Sequence, residues 1–170
     1  SKAKPIDWDN YLKLVQAFRD ALNQVGSNYL LTASLNAAED IPVDKTAIAS
    51  AAELNWVNLR AYDYVGAWSG QTGHASALRM SQGSPWTSAP TMKQRSLTGT
   101  IWDTYNAGLP QEKLVFGIPF HGHGWTNVRP RTRKGLWMAG TPVTRDLTQS
   151  VRHYRDIKAL RNFSSYLDAS

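Results

Sequence analysis

Apolar side chains at Tyr11, Leu14, Val15, Phe18, Leu22 and Val25 recur at steps of three and four, tracing one face of an amphipathic helix over residues 8–25. Asp7 or Asp9 is placed to cap its start, and Gly26 to end it. The pattern then changes character. Residues 29–35 form a short, almost uniformly apolar run, which predicts a strand covered on both faces. Residues 36–44 read as loop, and the Ala-rich stretch 45–54 as a short helix. A second strand is predicted over 56–64, followed by a long polar segment over 66–90. A helix over 98–105 ends at Gly108-Leu-Pro110, and 113–120 reads as a third strand with glycine-rich sequence directly behind it. The final helix is predicted over 148–160.

Strands and helices therefore alternate, with connections too long for hairpins. That alternation means βαβ crossovers, parallel strands and an α/β fold. In such sheets ligands lie beyond the C-terminal ends of the strands, so the informative stretches are 33–36, 60–64 and 119–125. The chain has 170 residues, enough for one buried core. A closed (β/α)8 barrel needs about 250, so these strands read as part of a larger sheet.

Composition narrows the function classes. Hydrophobic residues make up 42% of the chain and charged residues 19%, with seven tryptophans, which excludes a disordered chain. With no cysteine, disulfides and thiolate metal sites are excluded. No apolar run approaches the ~20 residues of a membrane span, so no membrane partner is expected. The net charge is +6, yet the basic residues are scattered apart from Arg129, Arg131, Arg133 and Lys134. A nucleic-acid face needs a basic stripe with aromatics along one element, so none is expected.

The strand exits hold the residues suited to chemistry. Tyr62, Asp63 and Tyr64 close the second predicted strand, where alternation sends the two phenols to one side and the carboxylate to the other. Such groups bond sugar hydroxyls or amides and stack on pyranose rings; two core tyrosines and a loop-capping Asp fit equally well. His121 and His123 flank Gly122 behind the third strand. Two histidines at i, i+2 suit metal ligation or acid–base work, but no third ligand stands at a recognised spacing, so no metal is expected and one packed, one exposed histidine is the simpler reading. Trp68 and Trp125, just past strand exits, are the better ligand platforms among the tryptophans, with Trp86 and Trp137 ambiguous. Trp102, three residues before Tyr105, fits a helix core face. His74 suits a loop carbonyl as well as a substrate. Phosphate loop, nucleophile elbow and dinucleotide fingerprint are all absent, so no cofactor is expected.

Two of these stretches resemble a known family. Val57-Asn-Leu-Arg-Ala-Tyr-Asp-Tyr64 is similar to the sixth-strand motif of family-18 glycoside hydrolases, the chitinases, usually N-L-M-x-Y-D-Y. Leu114-Val-Phe-Gly-Ile-Pro-Phe-His-Gly-His-Gly-Trp125 resembles their seventh-strand motif, in which Pro-Phe-Tyr-Gly-Arg-Gly-Trp is common. Trp8-Asp-Asn-Tyr-Leu-Lys-Leu14, Tyr29-Leu-Leu-Thr-Ala33 and Ala67-Trp-Ser-Gly-Gln-Thr-Gly-His74 stand in the matching order, with weaker similarity over 152–160.

The resemblance implies a partial (β/α)8 TIM barrel, roughly strands 5–7 with flanking helices and a short insertion after the seventh. It divides the chain into a partial catalytic domain over 1–125, an insertion over 126–149 and a terminal helix and tail over 150–170. It implies hydrolysis of β-1,4-linked N-acetylglucosamine with retention, the substrate's own N-acetyl oxygen serving as nucleophile, outside the two-carboxylate rule. By position Tyr62 would hold the N-acetyl group and Asp63 would bond sugar in the adjoining subsite, the two catalytic assignments. Tyr64, Trp68, His121, His123 and Trp125 would line the sugar path. The implied partner is chitin or chitooligosaccharide, and the implied location is secreted.

The departures also set expectations. The acid motif D-x-x-D-x-D-x-E occurs nowhere in the 170 residues, so the chain reads as a C-terminal portion of the barrel that lacks its acid Glu. Without that acid, hydrolysis by this chain alone should be negligible. A chitooligosaccharide-binding lectin, or a half-barrel that pairs with the rest of the barrel or with itself through open sheet edges, is the alternative. Arg60 stands at the usual Met, where an inward guanidinium needs a buried partner, and His121 and His123 stand at the usual Tyr and Arg.

Overall fold

The computed structural model describes residues 4–37, 52–81, 83–86, 95–129, 133–143 and 151–160. The expected helix over 45–54 lies mostly outside them, as do Arg131 and the predicted start of the last helix. The elements in chain order are α1 (Pro5–Val25), β1 (Thr32–Asn36), β2 (Trp56–Arg60), α2 (Leu97–Asn106), β3 (Leu114–Phe116), β4 (His121–His123), β5 (Trp125–Thr126), β6 (Thr141–Pro142), β7 (Val151–His153) and α3 (Tyr154–Lys158). Among the described residues no helix is long and apolar enough to cross a membrane. Two compact units emerge, one of residues 1–60 and 101–117, the other of 61–100 and 118–170.

The first unit holds the expected parallel sheet, in the order β1-β2-β3. Thr32 faces Trp56 and Asn36 faces Arg60 across β1 and β2, while Val57 faces Leu114 across β2 and β3. β2 is paired on both sides, and its alternate residues Val57 and Leu59 are buried. Val57 packs with Val15, Leu54 and Leu109, ringed by Tyr11, Leu31, Ala33, Leu35, Ala107 and Leu114. All three strands are shorter than their apolar runs. β1 begins at Thr32, and Thr32 and Ser34 are exposed, so the coverage expected on both faces is not found there. Tyr29 and Leu30, in the same run, are exposed too.

Arg19 joins α1 to the entrances of β1 and β2. Its guanidinium donates to the Glu53 carbonyl twice, at 3.1 and 3.0 Å, to the Tyr29 carbonyl at 3.0 Å and to Asn55 Oδ1 at 2.7 Å. Asn55 Oδ1 also accepts the Leu31 N–H at 2.8 Å, and the Asn55 N–H returns to the Leu31 carbonyl at 2.7 Å. Lys113 donates in a similar way to the carbonyls of Ala52 and Leu54.

Several expectations are corrected here. α1 is capped at Lys4, and Asp7 sits in the first turn, its carboxylate accepting the Lys4 N–H at 2.7 Å. Val15 is buried and Tyr11 partly so, but Leu14, Phe18 and Val25 on the same apolar stripe are exposed. Trp102 is 61% exposed and Tyr105 is exposed beside it, the rings 6.2 Å apart. The buried side of α2 is instead its small residues Gly99, Thr100 and Thr104, so Trp102 is not a core residue. Arg60 is exposed and needs no buried partner.

The second unit holds two antiparallel ribbons. β4 pairs with β7, His121 facing His153 and His123 facing Val151, so residues 151–153 are strand where a helix was expected; among the described residues of that stretch the helix covers 154–158. β5 pairs with β6, Trp125 facing Pro142. The loop after β2 is tied to the segment after β5: the Thr72 N–H reaches the Met138 carbonyl at 2.9 Å, and the Thr72 hydroxyl reaches the Gly135 carbonyl at 2.6 Å.

Cavity formation at Leu109, which is fully buried, should outweigh loss of the Arg19 network. Leu109→Ala is expected to lower unfolding free energy by about 2–5 kcal/mol, and Arg19→Met by about 1–3 kcal/mol, in urea denaturation. Equal or reversed effects would show that the guanidinium network, not the apolar cluster, holds the first unit.

Candidate functional site

Beyond β2 the chain enters the second unit at Ala61, which is buried. Two residues later Asp63 takes a left-handed backbone conformation, φ 59°. Asp is among the few residues other than glycine that adopt it readily. This turn breaks the alternation that the sequence predicts over 62–64. Tyr64 is 2% exposed; its hydroxyl pairs with Thr100 Oγ1 at 2.8 Å, and its carbonyl accepts Arg95 Nη1 at 2.9 Å. The phenol of Tyr64, expected to line the sugar path, is thus buried and bonded to Thr100. Burial raises the Tyr64 phenol above its ordinary pKa, and the Thr100 bond only partly offsets this.

Asp63 meets the histidines. His121 Nε2 lies 2.7 Å and His123 Nε2 2.9 Å from the same carboxylate oxygen, Oδ1. An ionised carboxylate only accepts, so each Nε2–H donates. Burial alone would raise the Asp63 carboxyl; the bonds and positive charge of His121 and His123 outweigh it and hold the carboxyl below its ordinary range. The side chains grade inward, Asp63 33% exposed, His121 21% and His123 1%.

β4 supplies the second half of this contact. Residues two apart on a strand share a face, so His121 and His123 project together. Gly122 turns to the other face, where an added Cβ would stand 3.0 Å from Ile157 Cδ1 of α3. The glycine between the histidines lets α3 close on the ribbon.

Aromatic rings surround the pair. Tyr62, partly buried, stands edge-on to His121 with centroids 5.9 Å apart. Trp68 stands edge-on to His123 at 5.5 Å and is 63% exposed. Trp125 lies 6.5 Å from His123, its indole N–H directed at the Ser69 carbonyl at 3.5 Å, a weak contact. The structure thus gathers Tyr62, Asp63, Trp68, His121, His123 and Trp125 and leaves out Tyr64. Trp86, Trp137 and His74 line a separate small cavity together, with Arg95 stacked 4.9 Å from the Trp86 ring.

Gly66 and the β7 strand escaped the sequence reading. A Cβ on Gly66 would lie 2.4 Å from Trp68 Cη2, so the indole crosses directly over residue 66. The short spacing Gly66-Ala-Trp68 carries that signal, whereas three residues at 151–153 are too few to show a strand period.

A family model described as glycosyl hydrolases family 18 matches residues 2–167. Chitinase A1 of Niallia circulans is 29% identical over 126 residues, covering 72% of this chain and 18% of that protein. Chitinase ChiA74 from Bacillus thuringiensis superposes with a TM-score of 0.75 at 26% identity, over 92% of this chain and 27% of that one. An Ostrinia furnacalis Group II chitinase catalytic domain, solved in complex with penta-N-acetylchitooctaose, gives a TM-score of 0.60 at 27% identity over 78% and 32%. The chain spans about a fifth of the length of the first curated relatives it matches.

Gly66→Ala should displace the Trp68 indole while changing unfolding free energy by less than about 1 kcal/mol, because an exposed side chain swings aside cheaply. The readout is the nuclear Overhauser contact between the Trp68 and His123 rings, expected to vanish. Its persistence would mean that residue 66 does not set the indole's position.

Proposed function

The chain belongs to glycosyl hydrolases family 18, and we propose that it supplies the sugar-binding, N-acetyl-orienting part of a chitinase-type hydrolase acting on β-1,4-linked N-acetylglucosamine. The observation that carries this reading is Trp68, an exposed indole held against His123 within the cluster built on Asp63. An indole offers its face to the C–H surface of a pyranose, and a neighbouring carboxylate accepts its hydroxyls.

In the proposed reaction the substrate's N-acetyl oxygen attacks its own anomeric carbon, and the glycosidic oxygen leaves with a proton. Tyr62, braced edge-on by His121, holds the N-acetyl group as the oxazolinium forms. Asp63 bonds the sugar in the adjoining subsite. Its two histidines keep it ionised and fixed in direction, so little reorganisation remains when the sugar arrives. Water then opens the oxazolinium with overall retention. Delivery of the proton is assigned to none of these 170 residues, where D-x-x-D-x-D-x-E is absent. A polymeric substrate of this kind is met outside the cell, so a secreted location goes with the reading.

Titration of the full protein with N-acetylchitotetraose tests the site. Trp68→Ala and Asp63→Ala are each expected to weaken binding by about 10-fold, the loss of one stacking surface or one charged hydrogen bond. Unchanged affinity in both variants would remove the site. Binding without release of product from a fluorogenic chitobioside is expected of these 170 residues, which hold no acid motif; release would show that they contain an acid of their own.

A further inference from the structure

We propose that Asp63, His121 and His123 form a binding site for one divalent transition-metal cation of the zinc type, with three protein donors and at least one coordination position open. Nothing in the sugar-binding reading is needed for this.

The three donors come from distant parts of the chain. Asp63 stands 58 and 60 positions before the two histidines, so the missing third ligand was invisible as a spacing. The structure supplies it. The Asp63 carboxylate oxygen and one ring nitrogen from each histidine all lie within 4.8 Å of one another. Two edges of that triangle, 2.7 and 2.9 Å, fall several tenths of an ångström short of the roughly 3.4 Å that neighbouring ligands span around a tetrahedral ion bound at about 2.0–2.2 Å. The ion would take the place of the Nε2 protons now shared with Oδ1, and the donors would part by tenths of an ångström as the two rings close upon it.

Donor chemistry selects the metal. Two imidazole nitrogens and one carboxylate oxygen suit zinc and its first-row neighbours, while calcium and magnesium prefer all-oxygen shells. The usual Tyr and Arg of the seventh-strand motif form no such set, since a guanidinium repels a cation and presents no lone pair. Both residues that depart from that motif here are histidines, and both aim the same ring nitrogen at the same oxygen.

The supports are rigid and the mouth is open. His121 and His123 share one face of β4, which is paired to β7 in register, with Ile157 pressed behind Gly122. Tyr62 and Trp68 stand edge-on against the two imidazoles. His123 forms the buried wall, and the partly exposed Asp63 and His121 leave a path from solvent.

Co2+ titrated into the full protein without sugar should give visible absorption saturating at one equivalent, displaced by Zn2+. His121→Phe and His123→Phe should each weaken Co2+ binding at least 10-fold, with His74→Phe as the unaffected control. Should a variant fail to fold, imidazole 15N resonances of the unsubstituted protein decide the matter. One equivalent of Zn2+ should shift Nε2 of both His121 and His123. Absence of saturation at one equivalent, unchanged affinity in both folded variants, or Zn2+ shifts that omit either histidine would overturn the site. Loss of chitotetraose binding with intact Co2+ binding would count against the sugar reading alone.

Discussion

One carboxylate oxygen organises the second unit. Asp63 Oδ1 takes hydrogen bonds from two imidazoles two residues apart on β4, joining the loop after β2 to a strand nearly sixty residues later. Charge-assisted bonds of this kind contribute roughly twice what neutral ones do. That gain offsets the strain of a non-glycine residue with φ 59°, which costs on the order of 1 kcal/mol or more. The turn at Asp63 in turn decides the neighbours' fates. It sends Tyr64 inward to Thr100 and leaves Tyr62 beside His121, so two phenols that look equivalent in sequence separate into a packing residue and a site residue.

The parallel α/β sheet was legible because periodicity reports burial directly. Val57 and Leu59 alternate with Asn58 in β2, and the helical stripe of α1 does contain the buried Val15. Element ends were less legible, since an apolar run records what is to be covered and not where ladder bonding stops. Leu30 is apolar but precedes β1, and Ile118 and Phe120 are apolar, exposed and beyond β3. Trp102 and Tyr105 mislead for a related reason. Their spacing describes one side of α2, but the side that packs closely is the one bearing Gly99, Thr100 and Thr104, where small residues allow approach.

The residues singled out at the strand exits come together in the structure, but their relations were not legible. Tyr62, Asp63, Trp68, His121, His123 and Trp125 were all flagged from strand exits, yet a spacing rule sees only local pairs. Asp63 with His121 is a tertiary contact, and no local pattern encodes it. Gly122 and Gly66 show what glycines report in this fold. Each marks a place where another side chain, Ile157 or Trp68, approaches too closely for a Cβ.

In its two proposed roles Asp63 meets a sugar and a cation through different atoms. Both imidazoles converge on Oδ1, which leaves Oδ2 as an acceptor for a hydroxyl while the triad stays intact. A cation instead needs Oδ1 itself and displaces the protons that hold the triad together. Sugar binding on that reading preserves the hydrogen bonds that fix His121 and His123, whereas metal binding replaces them with coordinate bonds from the same ring nitrogens. The β4–β7 ladder confines both rings to small movements between the two states, so the shared protons are not their only restraint. A cation seated there would neutralise the carboxylate proposed to bond the sugar, so the two ligands would oppose each other through the charge of Asp63 more than through space.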